Sequence, residues 1–185
     1  MTRLIERSDV IDYQTYEDIR ADRRSQIFEV KRPRRIHLGE YLTFLFENRE
    51  TLTYQVQEII RAETIVRESA ILDEIEVYNK FLGEAGDLAC VLLIEIAEES
   101  DRKPLLRRWL GLEKAIYVRV KDGSKIYASY EEAQVDDDRL SAVQYLTFAL
   151  NGRTPVAVGT DFDELAGEVE LTSEQQTALS ADLAE

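Results

Sequence analysis

One histidine, one cysteine and a scatter of glutamates are the side chains of this chain best suited to chemistry, and their spacing limits what they can do. His37 is the only histidine and Cys90 the only cysteine. A single histidine rules out the paired Glu-x-x-His motifs of ferritin-like di-iron bundles and the HExxH pattern of zinc peptidases. Ser–His–Asp or Cys–His catalysis would have to run through His37, near which no nucleophile elbow or oxyanion loop is written. A single cysteine rules out an internal disulfide and any cysteine-based zinc or cluster site within one chain. Cys90 lies in the apolar run Leu88 to Ile96, where a thiol is expected to be structural and of raised pKa. The glycines form neither GxGxxG nor a Walker loop, so no nucleotide site and no cofactor is predicted. What remains is carboxylate chemistry. Glu47, Glu50, Glu58, Glu63, Glu74 and Glu95, with His37, offer the oxygen-rich ligands that Mg, Ca or Mn prefer. On one helix Glu50 and Glu58 project to neighbouring positions and Glu63 points elsewhere, so all six cannot meet at one ion.

The elements that position these groups start with Arg34 to Glu63. Ile36, Leu38, Leu42, Phe44 and Phe46 alternate, which predicts a strand with one buried face and His37, Tyr41, Thr43 and Glu47 on the other. Asn48 caps a helix that starts near Arg49, with Glu50 favourable in its first turn. Leu52, Val56, Ile59, Ile60 and Val66 form its apolar stripe, and Glu63 falls close to the centre of that stripe. A carboxylate there must be protonated, paired or coordinated. The expectation is a buried, ionised Glu63 held by Arg34, Arg35 or Arg23, with Glu95 sharing the network because it interrupts the apolar run Leu88 to Ile96.

The rest of the chain reads as a single α+β domain over residues 1–185, with a mostly antiparallel sheet covered by helices and with residues 1–10 and 160–185 peripheral. Asp12 caps a helix to about Val30, whose stripe is Tyr16, Ile19, Arg23, Ile27 and Val30, and Pro33 then forces extended chain. Ile71, Ile75, Tyr78 and Leu82 face the core from a helix that Gly83 ends. Trp109 is expected in the core. Asp122-Gly123 and Asn151-Gly152 predict two hairpins, the second returning as an edge strand from Pro155 to Val158. A last helix begins at Thr172 or Ser173.

The 185 residues carry 37 acids against 23 bases, a net charge of −14. That balance argues against binding to nucleic acid or an anionic membrane, both of which need a basic face. The longest apolar run, Leu88 to Ala97, is too short to span a bilayer, and no signal peptide is read, so a cytoplasmic protein is expected. After Arg153 no base follows while Asp161, Glu168, Glu174, Asp182 and others accumulate, which reads as a solvated tail. Lys31, Arg32, Arg34 and Arg35 cluster, either to bind an anion or to pair with buried carboxylates.

Several of these residues form a wider pattern: Tyr16, Arg20 and Arg24; Arg34 and Arg35; Leu38-Gly39; Phe46 to Asn48; Thr51; Tyr54-Gln55; Gln57-Glu58; and Arg61 to Glu63. It continues through Glu74, Tyr78 and Asn79, Ile94 and Glu95, and Ser141 to Val143. The pattern resembles a bacterial family, the domain of unknown function numbered 3501. The resemblance implies a setting among rubrerythrin-like and iron–sulfur oxidoreductase proteins, hence a link to redox or oxidative-stress housekeeping. It brings no catalytic residue with it. One departure is the C-terminal part, where the family's Asp-His-Pro is replaced by Thr160, Asp161 and Phe162. The expected function is therefore an accessory or adaptor protein with a protein partner or a homodimer, the alternative being a carboxylate-based divalent-metal protein or metal-dependent enzyme.

Overall fold

The computed structural model describes residues 3–130 and 138–184. Helix α1 (Tyr13–Lys31) opens on Asp12, whose carboxylate accepts the N–H groups of Gln14 and Thr15, and it gives way to a tight turn holding Pro33. Strands β1 (Arg35–Leu38) and β2 (Leu42–Glu47) follow, then α2 (Arg49–Ala62), α3 (Glu68–Leu82), β3 (Leu88–Ile94) and α4 (Glu99–Arg108). The second half contributes β4 (Ile116–Val120), β5 (Lys125–Tyr127), β6 (Ser129–Tyr130), β7 (Val143–Phe148), β8 (Pro155–Thr160), β9 (Gly167–Glu170) and α5 (Ser173–Leu183).

The stretch read as one strand is a hairpin. Gly39 takes a φ of +62° in the turn, a conformation open to glycine at little steric penalty. Leu38 pairs with Leu42 across it, so Ile36, Leu38, Phe44 and Phe46 still share one face. That parity is why the alternation survives the break.

All strand pairs are antiparallel, but the strands divide between two sheets, ordered β1-β2-β3-β7-β6 and β5-β4-β8-β9. The inner face of the first, with Phe44, Phe46, Leu92 and Phe148, meets Ile116, Val118 and Val158 of the second in one apolar core. Cys90 and Trp109 belong to it. A second cluster unites Leu52, Val56 and Ile60 of α2 with Ile71, Ile75 and Leu82 of α3. These helices lie over the other face of the five-stranded sheet, where a side chain on Gly83 would press on Thr147.

Three expectations are corrected here. Asn151 and Gly152 do turn the chain with positive φ, but β7 and β8 enter different sheets, so the turn links sheets and is no hairpin. β8 is an interior strand, with Pro155 at its first residue beside a register shift at Arg119/Val120. Residues 3–10 and 160–184 are not peripheral. Ile5 and Val10 are buried in the helical cluster, and Leu171, Leu179 and Leu183 complete the main core. The acidic composition of residues 160–184 hid this, because all the charges there except Asp182 lie on outward sides of elements whose leucines point inward.

Candidate functional site

The predicted burial of Glu63 is not what the structure shows. Helix α2 stops at Ala62, and Thr64 adopts a φ of +50°. Glu63 is an exposed C-cap whose backbone N–H reaches Ile59 O at 2.9 Å, and Val66 is exposed as well. The stripe ends with the helix, so the phase that places Glu63 on it no longer applies.

The tether expected there exists one turn earlier, at Glu58. Its carboxylate accepts Tyr16 Oη at 2.7 Å, Arg20 Nε at 2.8 Å and Arg20 Nη2 at 2.9 Å. The Arg20 guanidinium holds this carboxyl below the usual range, against the effect of burial. Arg34 has a different partner from the one predicted. Buried where α1 gives way to β1, it donates to both oxygens of buried Asp182 on α5, and Asn48 Nδ2 reaches the same carboxylate at 3.0 Å. Asn48 meanwhile caps α2 through Thr51 N. Arg35 is exposed and sits 3.6 Å from an exposed Glu95, so neither belongs to a buried network. Glu95 follows the last residue of β3 and turns outward, where it accepts the hydroxyl of buried Thr43, itself 2.8 Å from His37 Nδ1. Arg23 is exposed on α1 and touches neither Glu63 nor Glu95.

Among the described residues the buried acid with an unpartnered oxygen is Glu47. Oε1 accepts Gln55 Nε2 at 2.7 Å, whereas Oε2 is buried with no hydrogen-bond partner. Burial pushes its pKa up, opposed chiefly by the charge of Lys31. Strand alternation places Glu47 on the face opposite the main core; the signal it lacks is that helices cover that face at its end of the sheet. Glu50 lines a cleft between α1 and α2, and Glu74 a groove beside α3. The seven candidate ligands are thus dispersed, and among the described residues no group of three or more His, Cys, Asp or Glu is placed to hold a metal ion. Cys90 is fully buried, and burial pushes its thiol well up.

Two of the concave places among the described residues combine apolar and aromatic side chains in their lining. The first, about 400 Å³, lies between the antiparallel helices α1 and α2. The second, about 680 Å³, runs between α3 and the outer face of β7 and β6, lined by Val77, Tyr78, Phe81, Tyr130, Tyr145 and Thr147. Phe81 meets Tyr145 edge-on at 5.1 Å, while Val77 is 60% and Tyr145 42% exposed. Val77 and Phe81, four residues apart beside Tyr78, form a second apolar stripe on α3 that was available in the sequence and not read there.

Residues 4–183 match the family model described as "Protein of unknown function (DUF3501)". The chain belongs to the DUF3501 family. A solved structure from Burkholderia pseudomallei, described as a novel protein of unknown function, is 26% identical. It superposes with a TM-score of 0.88, over 97% of this chain and 98% of that one. No curated protein matches the chain. In this DUF3501 protein many of the pattern residues prove to be ties between elements. Gln57 exchanges two hydrogen bonds with the backbone of Ile11, Asn79 does the same for Ile5, and Tyr16, Arg20 and Glu58 clamp α1 to α2. Among the described residues no helix is long and apolar enough to cross a membrane.

Proposed function

We propose that this DUF3501 protein is an accessory protein that acts by binding, and that its partner is another protein seated in the groove between α3 and β7. The observation that carries the reading is the joint exposure of Val77 and Tyr145 in a groove walled by aromatic rings. Contiguous apolar surface of this kind marks interaction sites more often than chance exposure. The groove suits a helix laid along it with an apolar stripe inward. Charge sets the flanks of that helix. On α3, Glu76 is paired with Lys80 at 2.7 Å, while Asp73 and Glu74 have no ion pair among the described residues. A chain of net charge −14 repels a second copy of itself and attracts a basic one. The partner is therefore a protein presenting an apolar helix flanked by Lys or Arg. The redox setting implied by the family resemblance makes oxidative-stress proteins the first to try.

The metal alternative has less behind it. Its one buried candidate, Glu47, has Gln55, Lys31 and Arg34 for neighbours, not further carboxylates.

Capture at native expression level with the wild-type chain and with Val77→Asp tests the proposal. The expected result is a partner lost from the variant, whose basic-apolar helix, made as a peptide, binds the wild type and binds Val77→Asp at least about tenfold more weakly. Equal capture by both chains, or a helix peptide that ignores the substitution, would count against the groove.

A further inference from the structure

We infer that the cleft between α1 and α2 is a binding site for a small organic monocarboxylate with an apolar body. Its volume of about 400 Å³ lies within the range of small-molecule sites. The two helices pack antiparallel, Tyr16 against Glu58 at one end and Lys31 over the Tyr54 ring at 5.6 Å toward the other. Tyr16, Ile19, Ile27 and Tyr54 supply apolar and aromatic wall, and Ile19 remains 37% exposed.

Two guanidiniums line the same cleft with donors to spare. Arg23 makes no hydrogen bond or ion pair among the described residues. Arg49 holds Asp9 through Nη2 at 2.6 Å and its Nη1 has no acceptor among the described residues, while its Nε is enclosed by protein. An arginine fork is matched by a carboxylate. The amide of Gln57 is already spent on Ile11, and of the donors left in the lining, Gln26, Tyr54 and the two arginines, only the arginines carry the charge that selects an anionic head. Asp9 and Glu50 also line the cleft and set the charge the ligand can bring. Arg23 and Arg49 against Asp9 and Glu50 leave the lining neutral, so a monoanion adds one charge beside the two carboxylates where a dianion such as a phosphate monoester adds two. The head therefore lies by Arg23 and Arg49, and the hydrocarbon lies along Ile19, Ile27 and Tyr54.

The probe is 3-phenylpropionate, titrated calorimetrically into the full-length chain. The expected result is one saturable site, with binding weakened about tenfold or more by Arg23→Gln and abolished by Ile19→Asp. Arg24→Gln, which changes a guanidinium lying 5.6 Å over Phe28 outside the cleft, leaves it unchanged. 3-Phenylpropionamide and phenyl phosphate bind more weakly than the acid. All three side chains are exposed or at the cleft mouth, and unchanged melting of each variant confirms its fold. Absence of binding at millimolar probe overturns the inference. So does an amide or phosphate that binds as well as the acid, or an Arg23→Gln chain that binds like the wild type.

Discussion

Arg34 and Asp182, 148 positions apart, are joined by two hydrogen bonds, Nε to Oδ2 at 2.8 Å and Nη2 to Oδ1 at 2.7 Å. Both side chains are nearly out of reach of water. With Asn48 on the same carboxylate, the pair pins the end of α1, the start of α2 and the last helix together. Asp182→Ala leaves the guanidinium buried without its counter-charge and should lower unfolding free energy by about 3–5 kcal/mol. The double variant Arg34→Leu, Asp182→Leu should recover part of that loss, because the unpaired guanidinium is gone, although its charge is also withdrawn from buried Glu47. Urea denaturation of the three variants measures both effects.

A cut after Gly167 removes most of β9 and all of α5, and with them Leu171, Leu179, Leu183 and Asp182. The solvated-tail reading predicts a modest effect of this cut. The structure predicts loss of soluble, cooperatively folding protein, measured by expression and thermal melting of the truncated chain.

Glu58 and Glu63 make a paired test of the helix reading. Glu58→Ala removes charged hydrogen bonds from Tyr16 and Arg20 and should destabilise by about 1.5–3 kcal/mol. Glu63→Ala changes an exposed cap and should stay within about 0.5 kcal/mol. Equal denaturation midpoints for the two variants would contradict this assignment.

The difference between those residues shows where the sequence is legible. The Asp12 and Asn48 caps, the Gly83 stop and the strand parity from Ile36 to Phe46 are local, so neighbouring residues suffice to read them. Glu63 fails because α2 ends at Ala62, ahead of a positive φ at Thr64 that no glycine or proline announces. Asp182 is invisible because its partner lies at the other end of the chain. Periodicity places Glu47 on a face but does not tell that α1 and α2 cover that face at its end of the sheet. The same gap hides the groove, since Tyr145 and Phe81 meet only through the tertiary fold.

Glu47 gives a pH signature. Its folded-state pKa is raised by burial above an unfolded value of about 4.3, so the native state binds its proton more tightly than the unfolded state. Ionisation of Glu47 then destabilises the fold increasingly as pH rises from the unfolded value through the raised folded one. Glu47→Gln removes that charge while Gln55 keeps an oxygen acceptor. The variant should be more stable than the wild type at neutral pH, and the gain should vanish below about pH 4. Denaturant titrations across that range read the difference directly.

The groove between α3 and β7 is tested most directly by placing a photo-activated cross-linker at Val77 and, as a control on an exposed helix position elsewhere, at Lys103. An adduct is expected from Val77 alone, with the cross-linked peptide lying in a basic, apolar helix of a different protein. A Val77 adduct only to a second copy of this chain, or the same adduct from both positions, would contradict it.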